Sequence, residues 1–142
     1  MFNRAEVRVD LERIAANITH LKAHSGTPVM AVVKADAYGH GLVQVAKAAL
    51  DGGATSLGVA LLEEAITLRQ AGITAPILAW LVPPGSDFKL AVDQNIELAA
   101  SSIKALEEIG AVKSESRPKV HLEVDTGMTR GGFLAEWGKI DG

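Results

Sequence analysis

The chain has 142 residues, of which 48% are hydrophobic and 22% charged, with a formal net charge of -3 at pH 7 and no cysteine. This length fits one ordinary domain, and the charge gives no argument for a nucleic-acid or anionic-membrane partner. The missing cysteine excludes disulfide scaffolds and thiolate metal sites. No apolar run is long enough for a membrane span and no secretory signal opens the chain, so a soluble cytoplasmic protein is expected.

Short β-type runs alternate with longer segments of helical periodicity along the chain. Six runs are predicted as strands: Glu6–Val9, Val29–Lys34, Ser56–Val59, Ile77–Leu81, Ile96–Ala99 and Lys119–Val124. Apolar stripes between them predict helices that begin near Leu11, Leu42, Leu61 and Ile103. Asp10 is a candidate cap of the first helix, Gly26 its end, and Ser101 a candidate cap of the last helix.

This alternation predicts an α/β fold with a parallel sheet. No G-x-G-x-x-G follows any strand, and Gly39-His40-Gly41 lacks the third glycine of a dinucleotide-binding turn. A TIM-type (β/α) barrel is therefore favoured over a doubly wound sheet. A complete barrel takes about 250 residues, so we expect a partial barrel of about the first five βα units, in one domain over 1–142. The chain looks cut short at its final GKIDG.

Lys34 stands at the carboxyl end of an apolar run, in the stretch AVVKADAYGHG. The carboxyl ends of barrel strands carry the chemistry of that fold. A partly desolvated amine there suits Schiff-base chemistry, whereas position alone favours a lysine that snorkels into solvent. The only tyrosine, Tyr38, either bonds an anionic group of a ligand near Lys34 or packs with its hydroxyl in water.

A second constellation lies in HLEVDTGMTRGGF, which spans His121–Phe133. Its turn residues predict a loop at the same end of the barrel as Lys34, and Arg130 follows in that loop. A guanidinium there could bind a substrate carboxylate through two hydrogen bonds, or change the acidity of a neighbouring phenol or cofactor oxygen. A surface arginine without such a role is the commoner case. His121 and Glu123 alternate on the strand, but without a third ligand no metal site is expected.

Four polar residues near these stretches have ordinary structural explanations. Glu63 and Glu64 fall in the first turn of a helix, where negative charge suits the macrodipole. The carboxylate of Asp36 is expected to bond nearby backbone and shape the loop after Lys34. His40, between two glycines, is expected to be a solvated loop histidine and not a base.

Three stretches taken together resemble the alanine racemase family of pyridoxal-phosphate enzymes: AVVKADAYGHG, GVALLEEAITLRQAGITAPIL and VHLEVDTGMTRGGF. Their order and spacing match the amino-terminal barrel of that family, and the resemblance runs from about Val9 to Phe133. It implies an isomerase that interconverts L- and D-alanine for bacterial peptidoglycan. It also reverses the interpretation of Lys34 in favour of a Schiff base.

The resemblance implies a role for each matched position. Lys34 would hold pyridoxal 5'-phosphate and act as the base on the D-isomer face of the substrate. Tyr38 would lie at the cofactor phosphate, and Trp80 would face the cofactor ring. Arg130 would contact the phenolic oxygen of the cofactor and orient the substrate carboxylate, while Met128 would line the substrate site.

The chain departs from the family pattern in two ways. The arginine motif of the family often begins with a lysine that becomes carbamylated, and here that position is Glu123, which supplies negative charge on a shorter arm. Racemisation also needs a second base, which in this family is a tyrosine from the carboxyl-terminal β domain of the partner subunit in a homodimer. Tyr38 does not match that position, so the chain alone is expected to be inactive.

Two other functions remain open. The first is a non-catalytic fragment or assembly module, whose open strand edges would promote self-association. The second is a related pyridoxal-phosphate enzyme that acts on another amino acid, such as a serine racemase or a decarboxylase. The YGHG that ends the lysine motif argues against the decarboxylases.

Overall fold

The structure is a computed structural model that describes residues 5–140. Its centre is a parallel sheet of five strands in the order β1-β2-β3-β4-β5. The strands are β1 (Met30–Val32), β2 (Ser56–Val59), β3 (Ile77–Ala79), β4 (Glu97–Ala100) and β5 (Val120–Leu122). A doubly wound sheet reverses its strand order at a switch point, whereas a barrel wall adds each strand beside the last. The predicted α/β class and partial barrel are therefore confirmed.

Helices connect the strands and cover one face of the sheet. They are α1 (Leu11–Ser25), α2 (Lys34–Gly39), α3 (Leu42–Asp51), α4 (Leu62–Gln70), α5 (Phe88–Asp93) and α6 (Ile103–Gly110), with a 3-10 turn at Trp137–Lys139. Helices α1, α3, α4 and α6 confirm the four helices that were predicted from apolar stripes. None of the helices within residues 5–140 has the length and hydropathy of a membrane span.

The ends of α1 form as its sequence predicts. The side chain of Asp10 accepts a hydrogen bond from the backbone N–H of Arg13 at 3.0 Å, which satisfies one free donor of the first turn. Gly26 ends the helix with a φ of 65°, a left-handed conformation that glycine adopts without strain. The hydroxyl of Thr19 donates to the carbonyl of Gly52 at 2.9 Å and ties α1 to the end of α3.

Two local predictions were wrong. Glu6–Val9 is a largely exposed segment without regular secondary structure rather than a strand, because no described strand lies beside it to share hydrogen bonds. The cap of α6 is Ser102 instead of Ser101, since β4 extends to Ala100 and Ser101 is still leaving the sheet. The last two residues of the predicted GKIDG terminus lie outside the described residues.

The two faces of the sheet differ in burial. In-register residues Ala31, Leu57 and Ile77 face the helices and are at most 6% exposed. On the opposite face, Met30 and Val32 of β1 remain 38% and 47% exposed. That second face is the inner wall of the partial barrel, and the loops at its carboxyl-terminal edge carry the candidate site.

Candidate functional site

The turn that follows β1 has an unusual backbone. Four consecutive non-glycine residues have φ between 52° and 56°: Ala35, Asp36, Ala37 and Tyr38. A Cβ disfavours this left-handed region, so such a run needs support from its surroundings. Within the turn, the N–H of Ala37 donates to the carbonyl of Val33 at 2.9 Å.

Asp36 secures the end of this left-handed turn. One carboxylate oxygen, Oδ1, accepts a hydrogen bond from the backbone N–H of Leu42 at 2.7 Å, at the first residue of α3. The free N–H groups of a first helical turn prefer a negative partner. The prediction that Asp36 shapes the loop after Lys34 is confirmed.

Glu64 secures the start of the same turn from a distant part of the chain. Its Oε1 accepts a hydrogen bond from the N–H of Ala35 at 2.5 Å. Its Oε2 accepts from the N–H groups of Ala60 and Leu61, each at 3.0 Å. The sequence predicted only a favourable charge near the start of α4. A glutamate three residues after the helix cap is a signal for the local bonds, but no local signal points to Ala35.

His40 closes the turn through its ring. Its Nδ1 lies 2.9 Å from the carbonyl oxygen of Ala37 and 3.1 Å from that of Tyr38. Carbonyl oxygens only accept, so Nδ1 is the donor in these contacts. His40 is exposed, as the sequence predicted for a loop histidine, but its ring is also bonded to the turn.

The left-handed turn brings Lys34 and Tyr38 together. The Nζ of Lys34 lies 5.4 Å from the centre of the Tyr38 ring, within the range of a cation–π contact. Lys34 is half-buried, whereas Tyr38 is 63% exposed. An amine and a phenol thus stand side by side at the carboxyl end of β1.

Trp80, which follows β3, lies against the neighbouring strand. A Cβ placed on Gly58 would stand only 2.7 Å from Cζ3 of Trp80 and 3.1 Å from the Sδ of Met30. Only a glycine permits so close an approach at this point of β2. The indole is therefore held on the inner face of the sheet, between β1 and β3.

The loop after β5 is organised by Asp125. Its Oδ1 accepts hydrogen bonds from the N–H groups of Gly127 at 2.8 Å and Thr129 at 3.0 Å. Backbone hydrogen bonds, chiefly that from Thr129, lower the pKa of the Asp125 carboxyl below its ordinary value. The N–H of Phe133, a residue only 1% exposed, donates to the carbonyl of Glu123 and closes the loop at 2.7 Å.

A cleft of about 380 Å³ opens at the carboxyl ends of β3, β4 and β5. Its volume lies within the usual range for small-molecule sites. Trp80, Glu123 and Arg130 line it together, so an indole, a carboxylate and a guanidinium share one space. The other lining residues are Leu61, Leu81, Val82, Pro83, Ser101 and Gly131.

Two residues named from the sequence stand apart from this cleft. Met128 is 73% exposed on the Asp125 loop and is not one of the lining residues. The Nε2 of His121 lies 2.8 Å from Oε2 of Glu97 on the adjacent strand, and Lys119 lies 3.8 Å from the other oxygen of Glu97. His121 thus has a carboxylate partner on β4 rather than Glu123.

Four of the five predicted site residues form two groups at one edge of the sheet, and Met128 belongs to neither. Lys34 and Tyr38 lie together beyond β1, while Trp80 and Arg130 share the cleft beyond β3 to β5. Leu61 lines that cleft and is bonded to Glu64, which also holds the Lys34 turn. Sequence reasoning missed this link because it joins residues from three separate loops.

Comparison with known proteins gives one consistent family. The family model described as "Alanine racemase, N-terminal domain" matches residues 9–139. An alanine racemase of Salinispora tropica is 50% identical over 140 residues, which cover 96% of this chain and 38% of that protein. An alanine racemase of Thermobifida fusca is also 50% identical, over 141 residues. The chain thus spans less than two fifths of the length of these relatives.

Solved structures agree with this assignment. Alanine racemase from Corynebacterium glutamicum matches with a TM-score of 0.88 and 38% identity, over 94% of this chain and 39% of that one. A histidine racemase from Leuconostoc mesenteroides matches with a TM-score of 0.77 and 38% identity, over 87% of this chain and 34% of that one.

Proposed function

The chain belongs to the alanine racemase family, and on that premise we propose that it is the amino-terminal part of an enzyme that interconverts L- and D-alanine. In this proposal residues 1–142 form an incomplete barrel domain that binds pyridoxal 5'-phosphate. The observation that carries it is the pairing of Lys34 with Tyr38 by a left-handed turn, beside a cleft lined by Trp80 and Arg130. The product would be D-alanine for peptidoglycan, made in the cytoplasm.

The residues present suit such a cofactor. Pyridoxal phosphate carries an aldehyde, a phenolic oxygen, an aromatic ring and a phosphate. The chain offers an amine at Lys34, a phenol at Tyr38, an indole at Trp80 and a guanidinium at Arg130, all at the carboxyl-terminal edge of one sheet. Lys34 would bind the aldehyde, Tyr38 the phosphate and Arg130 the phenolic oxygen, while Trp80 would face the ring.

When bound, the cofactor supplies the electron sink that makes the α-hydrogen of the amino acid acidic. The Nζ of Lys34 would take that proton and return it on the D-isomer side. Arg130 would orient the substrate carboxylate, and Met128 would contact the substrate from the Asp125 loop. Glu123, which lines the same cleft as Arg130, would give the guanidinium a negative neighbour without a carbamylated lysine.

Racemisation needs a second base on the opposite face of the substrate. The one tyrosine of the chain, Tyr38, stands beside Lys34 and is assigned to the cofactor phosphate. We therefore expect the 142 residues alone to be inactive. A residue from outside them, contributed by the partner in a homodimer, would complete the site.

A related racemase with another substrate is the second candidate. The likeness to the Leuconostoc mesenteroides histidine racemase supports this alternative, because its fold and identity match this chain nearly as well. A non-catalytic assembly module is the third, supported by the unpaired edges of β1 and β5 in the described sheet. Turnover assays with alanine, serine and histidine on the assembled enzyme would separate the three.

The cofactor proposal is tested by covalent trapping. The chain is incubated with pyridoxal phosphate, reduced with borohydride and digested, and the modified lysines are mapped by mass spectrometry. Modification should concentrate on Lys34, and K34R should abolish it there while K47R, an exposed lysine on α3, leaves it unchanged. Labelling spread evenly over surface lysines contradicts a formed cofactor site. D-alanine turnover by the chain alone contradicts the proposal that the second base lies outside these 142 residues.

A further inference from the structure

The carboxylate of Glu64 joins two loops of the candidate site. Its Oε1 accepts from the N–H of Ala35, directly after Lys34, at 2.5 Å. Its Oε2 accepts from the N–H groups of Ala60 and Leu61, after β2, at 3.0 Å each. We propose that Glu64 is a positioning residue that holds Lys34 in place beside Tyr38.

The bond to Ala35 acts on Lys34 through the backbone. The N–H of Ala35 belongs to the peptide unit that begins at the carbonyl carbon of Lys34, and that unit is planar. Fixing the N–H direction therefore fixes the ψ angle of Lys34 and the direction in which its chain continues. That direction is the left-handed one, with φ of 54° at Ala35, which an alanine does not hold without external support.

The other oxygen of Glu64 extends this support to the cleft. Leu61, which donates to Oε2, lines the cleft that also contains Trp80 and Arg130. One half-buried side chain thus connects the lysine turn with the wall of the cleft. A side-chain amide cannot replace it, because three N–H donors converge on its two oxygens and an NH2 group would face at least one of them.

The chain offers a matched control on the same helix turn. Glu63 precedes Glu64, has the same charge and the same position relative to the α4 dipole, and is exposed. E63Q therefore removes an equal charge without touching the bonds to Ala35, Ala60 or Leu61. Any difference between E64Q and E63Q reports these bonds rather than the helix dipole.

Tyr38 provides a readout that needs no cofactor. Because it is the only tyrosine, the chain grown with 3-fluorotyrosine gives a single ¹⁹F resonance that reports the Lys34 turn. In E64Q this resonance should shift by more than its wild-type linewidth or split in two, while E63Q should match the wild type. An E64Q resonance that superimposes on the wild type overturns the proposal.

A second readout rests on the proposed function. Borohydride trapping at Lys34 should fall roughly tenfold in E64Q and stay unchanged in E63Q, as expected when a supporting hydrogen bond is lost. If the wild type shows no trapping at Lys34, the proposed function fails. The ¹⁹F comparison of E64Q with E63Q still tests whether Glu64 positions the Lys34 turn. If E64Q shows the ¹⁹F change but traps cofactor like the wild type, the positioning role is overturned.

Amide exchange in the wild type covers the case in which E64Q does not fold. The hydrogens of Ala35, Ala60 and Leu61 should each exchange at least roughly tenfold more slowly than in an unstructured peptide, because each is bonded to Glu64. Free exchange at Ala35 with protection at Ala60 and Leu61 would show that Glu64 serves only as a helix cap, and it overturns the proposal.

Discussion

The six-membered ring of Trp80 rests on the bare α-carbon of Gly58, a residue of the neighbouring strand. A Cβ at Gly58 would stand 2.7 Å from Cζ3 and 3.4 Å from Cη2 of the indole. The contact keeps the indole on the inner face of the sheet, in the wall of the cleft that also holds Arg130. The position of Trp80 is therefore determined by a residue without a side chain.

Replacing Gly58 with alanine should displace Trp80. The added methyl overlaps the indole and crowds Met30, and overpacking of this kind costs about 1–3 kcal/mol. Urea unfolding should detect that loss, and the emission of Trp80, measured with Trp137 replaced by Phe, should change because the indole moves. G110A is the matched control, since a Cβ at Gly110 meets nothing within 4 Å. Equal stability and emission in G58A and the parent would contradict this contact.

Arg69 stabilises the opposite end of the sheet. Its guanidinium donates to four carbonyl oxygens at 2.7–2.9 Å, those of Ile73, Ala75, Gln94 and Asn95. These carbonyls belong to the loops that enter β3 and β4. Burial lowers the pKa of Arg69, with the negative charge of Glu97 acting in the opposite direction.

R69K should therefore lower the free energy of unfolding by about 2–3 kcal/mol, because an ammonium cannot reach four carbonyls spread over two loops. The measurement is urea denaturation followed by circular dichroism. R13A is the control, since that side chain is 85% exposed and makes one surface ion pair, worth at most about 1 kcal/mol. Similar losses in the two variants would show that the four bonds contribute little.

The loop after β5 should loosen in acid. Asp125 has a pKa below its ordinary value of 3.8, because its charged form accepts backbone hydrogen bonds from Thr129 and Gly127. A lowered folded-state pKa means that this stabilisation is complete above the ordinary pKa and is lost as the pH falls through the folded-state value. The protection of the Gly127 and Thr129 amides, taken as the intrinsic exchange rate at each pH divided by the observed rate, should therefore fall only below that ordinary value.

Local exchange is the better measurement because the Asp93 carboxyl also has a lowered pKa, through its hydrogen bonds to Lys89 and Ser114. Global stability would mix the two carboxyl groups. D125N keeps an accepting oxygen but does not titrate, so its loop should show no such acid transition. An unchanged transition in D125N would assign the effect to another group.

The described chain should self-associate. β1 and β5 are the edges of the sheet, and apolar residues near them are open, with Val32 47% and Leu122 38% exposed. Unpaired edges of this kind bind other strands. Sedimentation velocity should show a concentration-dependent oligomer that L122K weakens, while L21K, on the exposed side of α1, leaves it intact. A monomer at high concentration contradicts this expectation.

Structural features that depend on residues close together in the chain were predicted correctly from the sequence. Helix stripes, the Asp10 cap, the Gly26 end and the role of Asp36 all follow from neighbours within a few positions. Strand alternation with helices, together with the missing glycine-rich turn, was sufficient to choose a barrel wall over a doubly wound sheet. Lys34 and Arg130 were placed at the carboxyl-terminal end of the sheet for the same reason, whereas Trp80 was named only through the family resemblance.

The remaining features depend on distant contacts. Four left-handed residues without a glycine run against local preference, so no pattern within AVVKADAYGHG predicts them. Their support from Glu64 comes from 29 residues away along the chain. The ring of Trp80 above Gly58 likewise depends on the pairing of two strands. Long-range bonds override local propensity at these points, and all of them lie in the candidate site.

The sequential strand order has a consequence for the geometry of the candidate site. Lys34 follows the first strand of the sheet and Arg130 follows the last, so the two groups lie on opposite margins of an arc. The separation between amine and guanidinium is then set by the curvature of the whole arc, since neighbouring strands are rotated relative to one another by roughly 20–25°. A change in sheet coiling far from either residue would therefore alter the distance between these two side chains.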